Sequence, residues 1–246
     1  MKYIVGFLLL LGCQVNLFAQ HTTYSNDGPK LGNEREKKYD VLVVPFEPKL
    51  YLSEIDQRIN QETGLNFEQI RNAFRNGSAL EVAAAFQPKY QVLALIDDTT
   101  WNKKEERLIY ESIVCDYLPL PVVEGKKQKA DGKVKPTIKE GQLMVTTNDL
   151  KRYMHTRIVN PNLLSLLHKK YGATIFVFLN ELDLKHDRLA ILHYTAFDNN
   201  GKLIASGIGS KDFPITLNDP KKIMPVGFKP IAEYIYSTIV PAPKGK

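Results

Sequence analysis

Cysteine is scarce in this sequence, which has only two, Cys13 and Cys115, among 246 residues. That number excludes a small disulfide-stabilised scaffold. Removal of an N-terminal segment that contains Cys13 would leave Cys115 without a partner. The apolar neighbours Ile113 and Val114 indicate that Cys115 is a small buried side chain rather than a catalytic thiol.

Motifs for metals, nucleotides and serine hydrolysis are also missing. The five histidines are scattered, and there is no His-Glu-x-x-His, paired-cysteine or EF-hand pattern. The segment 207–211 (Gly-Ile-Gly-Ser-Lys) lacks the glycine spacing of a phosphate-binding loop and is interpreted as a strand end with flexible glycines. No Gly-x-Ser-x-Gly elbow is present. The sequence therefore predicts no cofactor, no metal and no catalytic residue.

Asp97 and Asp98 form the best carboxylate pair in the chain. They follow a predicted strand over Tyr90–Ile96, and two adjacent carboxylates can raise the pKa of one of them. However, adjacent strand residues point to opposite faces, and Asp before Thr99 and Thr100 is ordinary at a helix start. A secreted hydrolase with a pocket at this pair remains the alternative from the enzyme class.

The N-terminus has the features of an export signal. Lys2 supplies a positive charge, residues 3–12 are apolar, and Ala19 precedes a suitable cleavage site. The apolar run is too short to cross a bilayer. Cys13 ends the segment Leu-Leu-Gly-Cys, which resembles a lipobox. Cleavage after Ala19 is favoured and predicts a signal peptide over 1–19, whereas lipidation would retain Cys13 as an anchor.

A modest positive charge accompanies an ordinary globular composition. The chain is 43% apolar and 24% charged, with net charge +6 and pI about 9.1. Six lysines fall in an apparent insertion over 119–148, and they are the candidate partner contacts: Lys126, Lys127, Lys129, Lys133, Lys135 and Lys139. Such a cluster attracts phosphate or anionic polymer, although a solvated loop is the favoured explanation. The absence of interleaved aromatics, together with export, argues against nucleic acid.

The stretch 171–208 organises the rest of the domain. An apolar run over 173–179 predicts a buried strand, and the alternation beyond Asn180 suggests that one face then reaches water. A second strand covers 189–197. Asp198-Asn199-Asn200-Gly201 predicts a tight hairpin into a third strand from Leu203. The result is a three-stranded antiparallel meander.

The remaining pattern places helices around this sheet. A polar leader over 20–38 precedes one domain over 39–240, and 241–246 is a free tail. Short strands are expected at 41–44 and 90–96, a small hairpin pairs 134–138 with 143–145, and residues 149–158 are either helix or extended chain. Helices are expected at 53–60, 66–77, 78–86, 101–117, from 160 to 171, and 226–239. The fold class is α/β (α+β), with a mixed or antiparallel central sheet.

Several local features resemble one known group of envelope proteins. They are the strand end Val44-Pro45-Phe46, the step Tyr171-Gly172-Ala173 into a strand, and the meander turn 198–201. The chain in this respect looks like the α/β modules of the curli-secretion lipoprotein CsgG, the penicillin-binding-protein activator LpoB and the N-terminal domain of TolB. The resemblance implies a non-enzymatic periplasmic module that binds or assembles envelope components, and it transfers no functional residue.

Together these features predict an exported binding or assembly module of a bacterial cell envelope, periplasmic or associated with the outer membrane. Its expected partners are envelope proteins or an anionic envelope polymer. The alternatives are the hydrolase at Asp97 and Asp98 and a structural lipoprotein anchored through Cys13.

Overall fold

A mixed six-stranded sheet runs through the domain in the computed structural model, which describes residues 38–96, 100–119, 137–139, 142–144, 152–186, 189–212 and 220–240. Its strands are β1 (Val41–Val44), β2 (Tyr51–Ser53), β3 (Val92–Ala94), β8 (Ile175–Leu184), β9 (Leu189–Asp198) and β10 (Leu203–Asp212). Their order in the sheet is β10-β9-β8-β1-β3, and β2 also pairs with β8. The predicted α/β (α+β) class is confirmed, and of the two expected sheet types, mixed or antiparallel, the sheet is mixed.

The meander forms as its sequence predicts. β8 pairs antiparallel with β9, and β9 pairs antiparallel with β10. At the second turn the amide of Asp198 donates to the carbonyl of Lys202, and Gly201 has φ 79°, a conformation that glycine adopts without steric cost. On the other side of β8 the sheet is parallel, since β1 pairs with both β8 and β3.

One face of the sheet is covered by two long helices, α2 (Phe67–Phe86) and α5 (Pro220–Ile239), with α1 (Asp56–Thr63) beside them. The Asn66–Gln69 capping box forms as predicted. The predicted break at Gly77 is wrong: α2 runs unbroken from Phe67 to Phe86, and Ser78, which was expected to cap a new helix, donates its hydroxyl to the carbonyl of Arg75. The predicted apolar stripe of the last helix is buried: Phe228, Ile231, Ala232, Ile235 and Ile239.

The opposite face has a second, smaller apolar core under α3 (Thr100–Glu111) and α4 (Leu163–Tyr171). Helix α4 ends at Gly172, which has φ 76°, as the Tyr-Gly step predicts. The helix expected over 101–117 is wrong in its last third, because the chain leaves α3 at Glu111 and continues as a strand.

That strand belongs to a two-stranded ribbon that we call the β4–β7 ribbon. It consists of β4 (Ile113–Pro119) and β7 (Arg152–Ile158), paired antiparallel. The ambiguous segment 149–158 is therefore extended over β7. Between them, β5 (Thr137–Lys139) pairs with β6 (Gln142–Met144), which confirms the hairpin predicted inside the insertion.

Candidate functional site

The β4–β7 ribbon lies against the sheet along the inner edge of β7. Backbone groups on that edge are bound by side chains of the sheet and not by another strand. The Met154 amide donates to Nδ1 of His193 at 2.8 Å, and the Met154 carbonyl accepts from Nδ2 of Asn180 at 2.6 Å. The Thr156 amide donates to Oγ1 of Thr195 at 3.1 Å. A row of three polar side chains on β8 and β9 thus takes the place of a neighbouring strand.

Asn180 lies at the centre of this row. Its Nδ2 also donates to Oγ1 of Thr195 at 2.8 Å, and its Oδ1 accepts from Oγ1 of Thr156 at 2.5 Å. All three residues are fully buried. Because both donors and the acceptor of the amide are used, the network avoids the free-energy cost of an unpaired buried polar group.

A second set of polar contacts joins β4 to the sheet through Glu181. The Tyr117 hydroxyl donates to Oε2 of Glu181 at 2.5 Å, and Nε2 of His193 lies 3.5 Å from Oε1 of the same carboxyl. Burial raises the pKa of Glu181, and the Tyr117 hydrogen bond partly offsets that shift. Burial and the bond to Glu181 also raise the pKa of Tyr117.

Cations surround this carboxyl. The guanidinium of Arg152 lies 4.3 Å from the centre of the Tyr117 ring, and Nζ of Lys185 lies 2.7 Å from Oδ2 of Asp183. Both cations lower the pKa of Glu181, whereas the charge of Asp183 raises it. The cluster is therefore a charge-balanced contact between ribbon and sheet.

The outer edge of β4 points away from the sheet. The amide and carbonyl of Met154 point toward the sheet and are hydrogen-bonded there. Met154 and its cross-strand partner Tyr117 therefore form a non-hydrogen-bonded pair. The same holds for Cys115 opposite Thr156. The amides and carbonyls of Tyr117 and Cys115 therefore face outward, and no strand in the described part of the chain pairs with them. Val114 and Leu118 are exposed on this strand.

A separate cleft of about 590 Å³ opens at the carboxyl end of β1. Its lining residues are Glu47, Pro48, Lys49, Glu106, Arg107, Tyr110 and Glu111. Behind it, the fully buried Arg75 donates to the Phe46 carbonyl at 2.7 Å and to the Tyr110 hydroxyl at 2.7 Å, and pairs with Glu106 at 2.8 Å. Arg75 therefore connects α2 on one face to α3 on the other.

Most residues singled out from the sequence lie outside the described residues. These are Cys13, Asp97, Asp98, Lys126, Lys127, Lys129, Lys133 and Lys135. Lys139 is the last residue of β5. Cys115 is half-buried on β4, with its sulfur 3.8 Å from Oγ1 of Thr156, and burial raises the pKa of its thiol. This setting agrees with a packed thiol and opposes a reactive one.

The sequence interpretation missed the polar row entirely. Beyond Asn180 it expected a face open to water, but Glu181 and Asp183 are only 4% and 7% exposed. The ribbon that covers them comes from elsewhere in the chain. A detectable pattern did exist, since polar residues occupy cross-strand positions of one hairpin, with Glu181 paired with His193.

Neither a metal site nor a membrane span is evident over the described ranges. No three His, Cys, Asp or Glu side chains there are grouped to hold a metal ion. No helix among these residues combines the length and apolar character needed to cross a membrane. Comparison with known proteins gives no relative: no protein-family model, no curated protein and no solved structure matches the chain.

Proposed function

We propose that this chain is an exported, non-enzymatic binding or assembly module of a bacterial cell envelope, and that β4 is its main contact strand. The observation that carries the proposal is the orientation of the β4–β7 ribbon. One edge of the ribbon is bound to the sheet by side chains, so the other presents backbone donors and acceptors outward. An extended segment of a partner can pair with such an edge.

Side chains on the same strand favour a protein partner. Val114, Tyr117 and Leu118 are each more than a third exposed. A partner strand that pairs with the outward backbone edge would also contact the apolar side chains beside it. An exposed edge of this kind also risks aggregation, so a strand that keeps it is expected to use it.

Location and partner class follow from the sequence. The N-terminal charge and apolar run over 1–19 support export to the periplasm or outer membrane. The resemblance to envelope assembly modules supports envelope proteins as partners, and the lysine-rich insertion adds an anionic polymer as a second candidate. Lipidation at Cys13 would add membrane attachment.

A photo-crosslinking amino acid placed in β4 tests the contact strand. At position 118 it should capture a discrete envelope protein in intact cells, and Val114→Lys in the same chain should reduce the yield at least about tenfold because a charge disfavours strand pairing. Position 166 is the matched control, since Leu166 is an exposed leucine on α4. Equal capture at 118 and 166, or no effect of Val114→Lys, would refute β4 as the contact.

A deletion of residues 124–141 distinguishes a partner contact at the β4–β7 ribbon from a contact at the lysine-rich insertion. Capture at position 118 should survive this deletion if β4 makes the contact. Loss of capture with a folded domain would move the partner site to the lysine cluster. Mass and fractionation of the mature protein check export and distinguish cleavage after Ala19 from lipidation at Cys13.

A further inference from the structure

Two histidine rings lie between the β4–β7 ribbon and the sheet, and the docked ribbon fixes the protonation of the first. His193 on β9 is 4% exposed, and its Nδ1 accepts the Met154 amide hydrogen at 2.8 Å. A backbone amide can only donate, so this nitrogen carries no proton. An imidazolium has hydrogen on both ring nitrogens, and it would therefore break the contact with Met154.

The second ring, His155 on β7, is held in a similar way. Its Nδ1 lies 3.4 Å from Oγ1 of Thr195. That hydroxyl oxygen already accepts from the Thr156 amide and from Asn180, so its own hydrogen is left to donate to His155. The ring also packs against Phe197. Burial lowers the pKa of His155, which agrees with a neutral ring in the docked ribbon.

We propose that the β4–β7 ribbon is a proton-sensitive element that stays docked while His193 and His155 are neutral and is released from the sheet when both take up protons. Its consequence for partner binding at β4 rests on the proposed function. The release itself is a property of the domain alone.

Charged groups lie near these rings on β4, β7 and β8, and at Lys185 directly after β8. From β8, Glu181 lies 3.5 Å from Nε2 of His193, with Asp183 further along the strand. Asp116 on β4 is the cross-strand partner of His155. The cations are Arg152 on β7, over the Tyr117 ring, and Lys185, paired with Asp183; Arg157 pairs with Asp116 at the exposed side of the ribbon.

The carboxylates offset only part of the effect of the histidines. Glu181 attracts an imidazolium through Nε2, but this contact does not replace the acceptor that Met154 loses at Nδ1. Glu181 itself titrates with the opposite sign. Because burial raises its pKa, the docked state gains a proton there as pH falls, which favours docking in acid. A Glu181→Gln variant therefore isolates the contribution of the histidines.

The size of the effect follows from proton linkage. An ordinary histidine has a pKa of about 6.5, so docking weakens progressively as pH falls through that value. The equilibrium constant for release of the ribbon from the sheet depends on how many protons the docked state excludes. With two excluded protons it rises about 100-fold between about pH 7.5 and about pH 5.5, and with one it rises about tenfold.

Hydrogen exchange at the Met154 and Thr156 amides measures this opening directly, with each rate expressed relative to the intrinsic rate at the same pH. In the Glu181→Gln variant their protection should fall about 100-fold between about pH 7.5 and about pH 5.5, and in the unsubstituted protein it should fall by a smaller factor because Glu181 titrates with the opposite sign. The amide of Phe178, in the centre of the sheet, should keep its protection. Protection in Glu181→Gln that is constant with pH, or that falls equally at Phe178, would overturn the proposal.

Asparagine variants supply the matched control. Oδ1 of Asn occupies the place of Nδ1 of His, so His193→Asn combined with His155→Asn keeps both acceptors but cannot titrate. This variant should lose no protection as pH falls, because only Glu181, which favours docking in acid, still titrates, while Glu181→Gln should keep the loss in acid. A double variant with an undiminished acid response would refute the role of the histidines. If the double variant does not fold, His193→Asn in the Glu181→Gln background should reduce the response to about tenfold. These exchange measurements need no partner, so their failure is distinguishable from a failure of the proposed function.

Discussion

The two faces of the sheet are covered in different ways. On the face under α2 and α5, contact is apolar and includes an edge-on pair of aromatic rings, Phe86 and Tyr236, 5.1 Å apart. On the opposite face, the end of the sheet nearest β4 and β7 is covered through a buried polar row centred on Asn180 and Thr195. The same strands, β8 and β9, serve both faces through their alternating side chains.

The apolar face contributes mainly to the stability of the fold, whereas the polar row determines how β7 is positioned on the sheet. Apolar burial is non-directional and contributes most of the free energy of folding. A polar row contributes less net free energy, but it fixes the register of β7, because a shift of one residue would turn the amide of Met154 away from His193. The helical face should therefore unfold only with the whole domain, whereas the ribbon can open locally.

The largest expected effect is on the helical face. Phe86 is fully buried at the end of α2, so Phe86→Ala should lower the free energy of unfolding by about 3–5 kcal/mol. Urea unfolding followed by far-UV circular dichroism measures it. Phe67→Ala is the control, because Phe67 is 58% exposed at the other end of the same helix and should change stability by less than about 0.5 kcal/mol. Similar losses for both variants would contradict the distinction.

An intermediate effect is expected from the centre of the polar row. Asn180→Ala leaves the Met154 carbonyl and the Thr156 hydroxyl without their partner and should destabilise the docked ribbon by about 2–3 kcal/mol. Hydrogen exchange should show lost protection at Met154 and Thr156 but not at Phe178. Asn200→Ala, at the exposed turn after β9, should leave all three amides unchanged. A loss spread evenly over the domain would mean that the ribbon and the helical face form one cooperative unit.

The smallest effect is expected at Tyr117, which is 40% exposed. Tyr117→Phe removes the hydrogen bond to Glu181 and should cost about 1 kcal/mol at neutral pH. Since that bond lowers the pKa of Glu181, its loss raises the pKa further. The cost should therefore be full where Glu181 is ionised and shrink as pH falls and Glu181 is protonated. Denaturation at several pH values in the His193→Asn/His155→Asn background tests this, and a pH-independent cost would be inconsistent with it.

Local chemistry accounts for the elements that were predicted well. The capping box at Asn66, the glycines after α4 and in the meander turn, and the apolar stripe around Ile235 each act through neighbours within a few residues. Such features are visible in a sequence because their partners lie within one or two turns of chain.

The errors share a different cause. The predicted helix includes residues 113–117, but they form part of β4, because pairing with β7 supplies hydrogen bonds that outweigh local propensity. Gly209 was interpreted as a flexible strand end, but it lies inside β10 where α5 approaches so closely that a Cβ would come 2.8 Å from Cγ2 of Ile231. In both cases the partner is distant in the sequence.

The sequence by itself determined the α/β class, the antiparallel meander, the caps of α2 and α4 and the buried face of α5, since short-range sterics and hydrophobic periodicity decide them. Only the tertiary structure decided that Glu181, Asp183 and His193 are buried. The physical reason is that their alternation with leucines is the same whether water or the polar edge of a remote strand covers that face.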